Sequence, residues 1–308
     1  MRIILLIVGV LLMLFQQFVF SVTPDIQFFL FIAGILFLGV PHGAADLLVA
    51  NKIAVTSKRQ FSATRFLINY IARLLIFALI LWIIPLVGIL IFIVFAAYHF
   101  GETDLYNFRT DLLTGKVFVV SYGLFILSLI LVHHFDEVRP LIESISRNTI
   151  SESYLRWIND YRYSIVSAAG ILFFLSSFLY FFLNKQALHP LNGNFLVQLA
   201  ALIIVLFNLP LMIGFTFYFI VWHSVLSLKN IILYLRKDNG FSVAVIRRQL
   251  LTYSFLSIAG IGIFGILSYS YFNQNTVASI IFLGLAVLTA PHMQVMYDMY
   301  HRFRANNR

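Results

Sequence analysis

The 308-residue chain contains no cysteine. That excludes a disulfide framework, a zinc–thiolate site, an iron–sulfur cluster and a cysteine nucleophile. Any metal has to be held by nitrogen or oxygen, so by the 8 histidines or the 12 acids. Charge is the next scarcity. Asp, Glu, Lys and Arg make up 11% of the chain, where soluble domains carry about 25%. Hydrophobic residues fill 61%, and mean hydropathy is +0.94. A soluble globule has too little polar surface to cover that much apolar matter. The same figures exclude a disordered chain, collagen, a coiled coil and a secreted disulfide scaffold. What they leave is an all-α, polytopic membrane helix bundle.

The net charge of +9 does not point to nucleic acid, because the basic residues are spread between long apolar runs instead of being clustered on a polar face. Lipid is the expected surrounding and no nucleic-acid partner is expected. Runs of about 20 apolar residues cross a hydrocarbon core of roughly 30 Å. About ten such runs are read, at 3–20, 27–50, 66–84, 87–106, 117–134, 163–184, 195–207, 210–235, 248–271 and 276–299. With the N-terminus inside, the inner segments hold Arg2, the Lys52–Arg65 group, Arg109, Lys116, Lys185, the Arg236–Arg248 group and the C-terminal arginines. The outer segments hold only Arg139, Arg147, Arg156 and Arg162, in one loop diluted by acids. This asymmetry predicts both termini in the cytoplasm and a multi-pass protein of the cell (inner) membrane. The loop 135–162, with Tyr154, Trp157 and Tyr161 among charges, is expected to lie amphipathically at the outer interface. Residues 1–308 are read as a single transmembrane domain. No cleavage site follows the first run, so it is expected to be a span and not a signal peptide.

Four histidines lie near water: His133 and His134 at the end of a run, His189 in a loop and His301 in the tail. The other four, His42, His99, His223 and His292, each lie inside an apolar run, about 12–16 residues from its outer end. At 1.5 Å per residue this is one layer, roughly 18–24 Å deep. A lone intramembrane histidine serves a helix–helix hydrogen bond as readily as a ligand. Four at one level favour a metal site, since imidazole is the commonest ligand for divalent transition metals and bundles build sites from inward-facing side chains. Polar packing and a proton relay stay open as alternatives. Asp46 and Glu102 follow His42 and His99 by one helical turn. Each is placed to accept the second ring N–H of a ligand histidine, or simply marks the end of its span. Gly260-Ile261-Gly262-Ile263-Phe264-Gly265 matches a dinucleotide-binding string but sits inside an apolar helix, where its glycines serve packing. No GxSxG nucleophile motif occurs.

The histidines stand in recognisable strings: Gly39-Val40-Pro41-His42-Gly43-Ala44-Ala45-Asp46, Ala97-Tyr98-His99-Phe100-Gly101-Glu102, Tyr218-Phe219-x-x-Trp222-His223-Ser224 and Ala290-Pro291-His292-Met293. Over about residues 27–299 the chain resembles the bacteriorhodopsin-related protein (Brp) and Brp-like protein (Blh) family, membrane β-carotene 15,15′-dioxygenases. The resemblance implies central cleavage of β-carotene or a related carotenoid with O₂ to give retinal, with Fe²⁺ as cofactor and His42, His99 and His223 at ligand positions. His292 matches the family's late Pro-His motif and completes the expected set. Two departures are plain: where the family carries further histidines, this chain has Ser227 and Leu47. Tyr98, Phe219 and Trp222, in the same strings, are the candidate substrate wall. Retinal would in turn imply a rhodopsin as downstream partner. Two further classes are weighed: a zinc-dependent intramembrane hydrolase using Glu102 as base, and a non-catalytic transporter or proton carrier using the histidine layer. The first lacks HExxH spacing. The second lacks ionisable groups in the outer halves of the helices.

Overall fold

In hydrocarbon a backbone can satisfy its N–H and C=O groups only within helices or closed barrels. Every regular element among the described residues is helical. The computed structural model describes the whole chain except residues 109, 111, 185–192, 238–239, 270–273 and 306–308. His189, expected in a loop, lies outside the described residues.

The helices are α1 (Arg2–Phe18), α2 (Pro24–Gly34), α3 (Val40–Ala44), α4 (Asp46–Thr56), α5 (Ala63–Ile83), α6 (Pro85–Asp104), α7 (Leu113–Leu127), α8 (Phe135–Ile145), α9 (Glu152–Asp160), α10 (Arg162–Leu183), α11 (Gly193–Asn208), α12 (Leu211–Phe215), α13 (Val225–Arg236), α14 (Val243–Tyr269) and α15 (Gln274–Ala305). Among the described residues, three π-helical stretches, Ile35–Gly39, Ser128–Val132 and Thr216–Ser224, interrupt the α geometry. The protein is an all-α, multi-pass membrane helix bundle.

Among the described residues, seven helical stretches are long and apolar enough to span, not ten: Pro24–Thr56, Ala63–Ile83, Pro85–Asp104, Leu113–Val132, Arg162–Leu183, Leu211–Arg236 and Ser279–Arg304. The correction follows from length. The first predicted run folds as 17 residues in α1 and the seventh as 16 in α11, about 24–26 Å at 1.5 Å per residue and short of a roughly 30 Å core. The predicted run 248–271 falls on α14, which is not among the seven. Its last two residues lie outside the described residues. The stretch 135–162 is folded as α8 and α9, with Phe135, Val138 and Leu155 buried and Tyr154 and Trp157 exposed. It is tied by ion pairs from Arg139 and Arg156 to Glu152 at 2.7 and 3.1 Å.

The contacts divide the chain into two compact units. The first comprises Met1–Ile35, Ala97–Arg139 and Glu152–Leu226. Its aromatic centre forms where α7 packs along α10: the Phe118 ring stacks within 13° of Phe173 and Tyr180, at 6.0 and 4.9 Å. The C-terminal end of α6 presses on α7 through two glycines. A Cβ on Gly123 would lie 1.9 Å from the Ala97 carbonyl oxygen, and one on Gly101 would lie 2.1 Å from that of Val119. Small residues let membrane helices approach to backbone contact, and this approach fixes His99, which lies between Ala97 and Gly101.

The second unit comprises Leu36–Ala96, Pro140–Ser151 and Ser227–Arg308. Its core joins Phe77 and Leu81 of α5 to Ala286 and Val287 of α15. α3 packs on α14, and α15 also packs on α4. Pro291 stands inside α15 immediately before His292, where it removes one backbone hydrogen-bond donor from the helix.

Candidate metal centre

Each unit brings two of the four deep histidines together. In the first, His99 on α6 and His223 in the π-helical stretch Thr216–Ser224 face each other, Nε2 to Nε2 at 3.0 Å with rings 72° apart. In the second, His42 on α3 and His292 on α15 do the same at 2.8 Å and 82°. All four are buried. Both His42 and His223 come at or just after a π-helical stretch, which re-phases the side chains that follow. Such insertions recur at functional sites.

The acid partners sort differently from their sequence spacing. Asp46 Oδ1 lies 2.8 Å from His292 Nδ1, and Asp46 Oδ2 accepts from the Tyr70 hydroxyl at 2.9 Å. Asp46, one turn beyond His42, is engaged with the imidazole on α15 that also faces His42. With the proton on His292 Nδ1, its Nε2 lone pair faces His42. This is the arrangement of a ligating histidine whose tautomer is fixed by a carboxylate. Glu102 is fully buried and accepts from the Tyr98 hydroxyl at 3.2 Å.

The donor set fits a divalent transition metal. Metal–nitrogen bonds of about 2.0–2.1 Å at a right angle place two ligand nitrogens about 2.9 Å apart, and both Nε2 pairs have that spacing. A pair of imidazoles with no thiolate suits iron, copper, nickel or zinc better than magnesium or calcium.

The most connected polar group of the first unit is Asp104. It is buried, and its carboxyl oxygens accept from Tyr122 at 2.8 Å, Tyr218 at 3.1 Å and the Trp222 indole at 3.0–3.1 Å. Its backbone carbonyl accepts from Arg2. Trp222, expected on the substrate wall, is thus a hydrogen-bond anchor next to His223. Of the other two expected wall residues, Phe219 lies parallel to the His223 ring at 6.1 Å and Tyr98 is the donor to Glu102. Phe100 completes the packing, 4.7 Å from the His223 ring.

Tyr70, Tyr122 and Tyr218 have no assigned role in the sequence reading, and neither has Asp104. Its signal was a third acid five residues beyond His99, inside an apolar run that a charge enters only at a cost. His133 and His134 are half-buried and outside the histidine pairs. His133 stacks on Phe207 at 4.1 Å, and His134 Nδ1 reaches the Ile130 carbonyl at 3.2 Å. His301 is exposed.

Against this geometry, the profile of the family described as Beta-carotene 15,15′-dioxygenase matches residues 33–300. The chain belongs to the β-carotene 15,15′-dioxygenase family. It is thereby classed with the carotenoid-cleaving dioxygenases, which are oxidoreductases. A family relative, the β-carotene 15,15′-dioxygenase of uncultured marine bacterium 66A03, is 25% identical over 271 residues, covering 88% of this chain and 93% of that protein. No solved structure matches. All four deep histidines, Asp46 and Asp104 lie inside the family match. Arg2 lies outside it.

Proposed function

We propose that this chain cleaves the central double bond of β-carotene or a related carotenoid with O₂ to give retinal, as a Brp/Blh-type enzyme. The observation that carries the reading is the pair of buried Nε2–Nε2 contacts in a chain of this family. His42, His99, His223 and His292 would hold one ferrous ion, which supplies oxygen binding and one-electron chemistry that side chains lack. The single layer the four occupy along their runs supports one shared centre.

The remaining work falls to the protein's own groups. Asp46, held by Tyr70, keeps the proton on His292 Nδ1 and turns Nε2 into a donor. Asp104 fixes Trp222 and, through it, the register of His223. Phe100 and Phe219 wall the first pair with rings that a polyene can lie against without exposing unpaired polar groups. In an almost uniform conjugated chain, positioning is what selects one bond. Retinal formed here would pass to a retinal-binding protein such as a rhodopsin.

The test joins metal analysis to pigment loss. Purified chain should carry about one iron per chain, and cells accumulating β-carotene should bleach when they express it. His42→Ala, His99→Ala, His223→Ala and His292→Ala should each lose both iron and bleaching, while Ser227→Ala keeps both. Full iron occupancy in His292→Ala, with loss in Ser227→Ala, would refute this ligand set.

A further inference from the structure

The second unit contains a cavity of about 520 Å³, walled by α14 and by residues leading into α3. Leu36, Phe37, Pro41, Leu250 and Phe255 make it apolar. Ligand sites for drug-sized molecules run from about 300 to 1,000 Å³, so this one accommodates an end ring and part of a polyene, not a whole C40 chain. Its position ties it to the site: Pro41 in its wall is the residue before His42, on the same short helix.

Two lining side chains do not belong to an apolar wall: Arg247, which is exposed, and Ser254, which is buried. Ser254 is 6% exposed, and its hydroxyl has no hydrogen-bond partner. Helical serines ordinarily bond the carbonyl four residues back, and hydrocarbon holds no water to substitute. A buried hydroxyl left unmade is costly. A β-carotene end ring or a lipid acyl chain leaves it unmade. A ring bearing oxygen does not, because a hydroxyl both donates and accepts and so pairs with either a ring hydroxyl or a ring ketone.

We infer that this cavity is the end-ring subsite of the substrate and that Ser254 selects carotenoids whose end ring carries a hydroxyl or keto oxygen. The inference rests on the carotenoid-cleavage reading, and binding measured apart from turnover separates the two.

The full chain is purified from cells supplied in turn with β-carotene, its 3,3′-dihydroxy derivative and its 4,4′-diketo derivative. Retained pigment is read by visible absorbance in the wild type and in His42→Ala. Both proteins should retain the oxygenated pigments about 2- to 10-fold over β-carotene, the range of a single net hydrogen bond. In the His42→Ala background, Ser254→Ala should abolish that preference, and Ser254→Thr should restore it, which guards against a folding defect in the alanine variant. Equal retention of all three pigments by His42→Ala, or an undiminished preference in His42→Ala/Ser254→Ala, would overturn the inference. So would retention of phospholipid alone, which would make the cavity a lipid groove. Cleavage of β-carotene without Ser254-dependent preference would leave the proposed function standing and remove the subsite. Ser254-dependent retention without cleavage would do the reverse.

Discussion

Asp104 is the residue whose removal the structure prices most directly. Three buried donors, the Tyr122 and Tyr218 hydroxyls and the Trp222 indole, converge on its carboxyl oxygens within 3.1 Å. Asp104→Ala deletes the shared acceptor and leaves all three unpaired. At about 1–3 kcal/mol for each unsatisfied buried donor, discounted for relaxation of a shared network, the loss is about 3–6 kcal/mol. Against a typical stability of about 5–15 kcal/mol, the variant should lose a large share of its stability. Asp104→Asn is the informative change. It keeps shape and one carbonyl oxygen but aims an amide N–H₂ at a donor, so it should cost about 1–3 kcal/mol. Because Trp222 adjoins His223, loosening this anchor should also weaken iron binding by about 10- to 100-fold, the usual effect of disturbing a group that orients a ligand. Trp222→Phe removes one donor and leaves the other two, so it should retain most stability while showing the same iron defect. Thermal unfolding in detergent, read beside iron content after graded chelator exposure, separates the two effects. If Asp104→Asn unfolds and holds iron as the wild type does, the anchoring argument is wrong.

The Tyr70–Asp46–His292 chain predicts a graded response: Asp46→Asn should lower iron affinity by about 10- to 100-fold and Tyr70→Phe by less, measured by chelator competition. The glycines should behave oppositely. Gly123→Ala drives a Cβ into the Ala97 carbonyl and should cost about 1–3 kcal/mol or more, whereas Gly43→Ala enters open space and should leave the unfolding midpoint unchanged. Burial pushes His133 and His134 below their ordinary value of 6.5. The folded state therefore binds fewer protons than the unfolded one between that lowered value and 6.5, and stability should fall as pH drops through this window. Glu137, raised from 4.5 by burial, acts in the opposite sense, so the comparison is wild type against His133→Gln/His134→Gln. The double variant should lose less of its unfolding midpoint between pH 7.5 and 5.5.

How far the fold could be read from the sequence depended on what the apolar runs encode. A run of 20 hydrophobic residues states that a segment is helical and buried in lipid or protein, because no other backbone survives there. Each predicted run accordingly falls on a helix. The run does not state whether that helix crosses. α1 is as apolar as its neighbours, but it is 17 residues long, and the positive-inside count treats a short helix and a spanning one alike. The π-helical stretches were also illegible. An extra residue per turn changes side-chain phase without changing composition, so Thr216–Ser224 reads as an ordinary helix in sequence.

The site divides along the same line. Which histidines are buried was visible, since an imidazole in hydrocarbon is costly and is expected to be shielded by partners. Who pairs with whom was not. Same-face spacing put Asp46 beside His42, four residues away, to accept from a ligand histidine without saying which. The imidazole it engages is that of His292, 246 residues distant, which also faces His42. Asp104 was hidden for a related reason. Its donors come from Tyr122, Tyr218 and Trp222, spread over more than 100 residues, and each taken alone is an unremarkable aromatic in a membrane helix. Only the Gly123 and Gly101 contacts, which set α6 against α7, bring Tyr122 to the end of α6. The chemistry-bearing residues were therefore written in the local sequence, whereas their hydrogen-bond partners were written in helix packing. Iron affinity in the Asp46 and Asp104 variants consequently tests the packing as much as the chemistry.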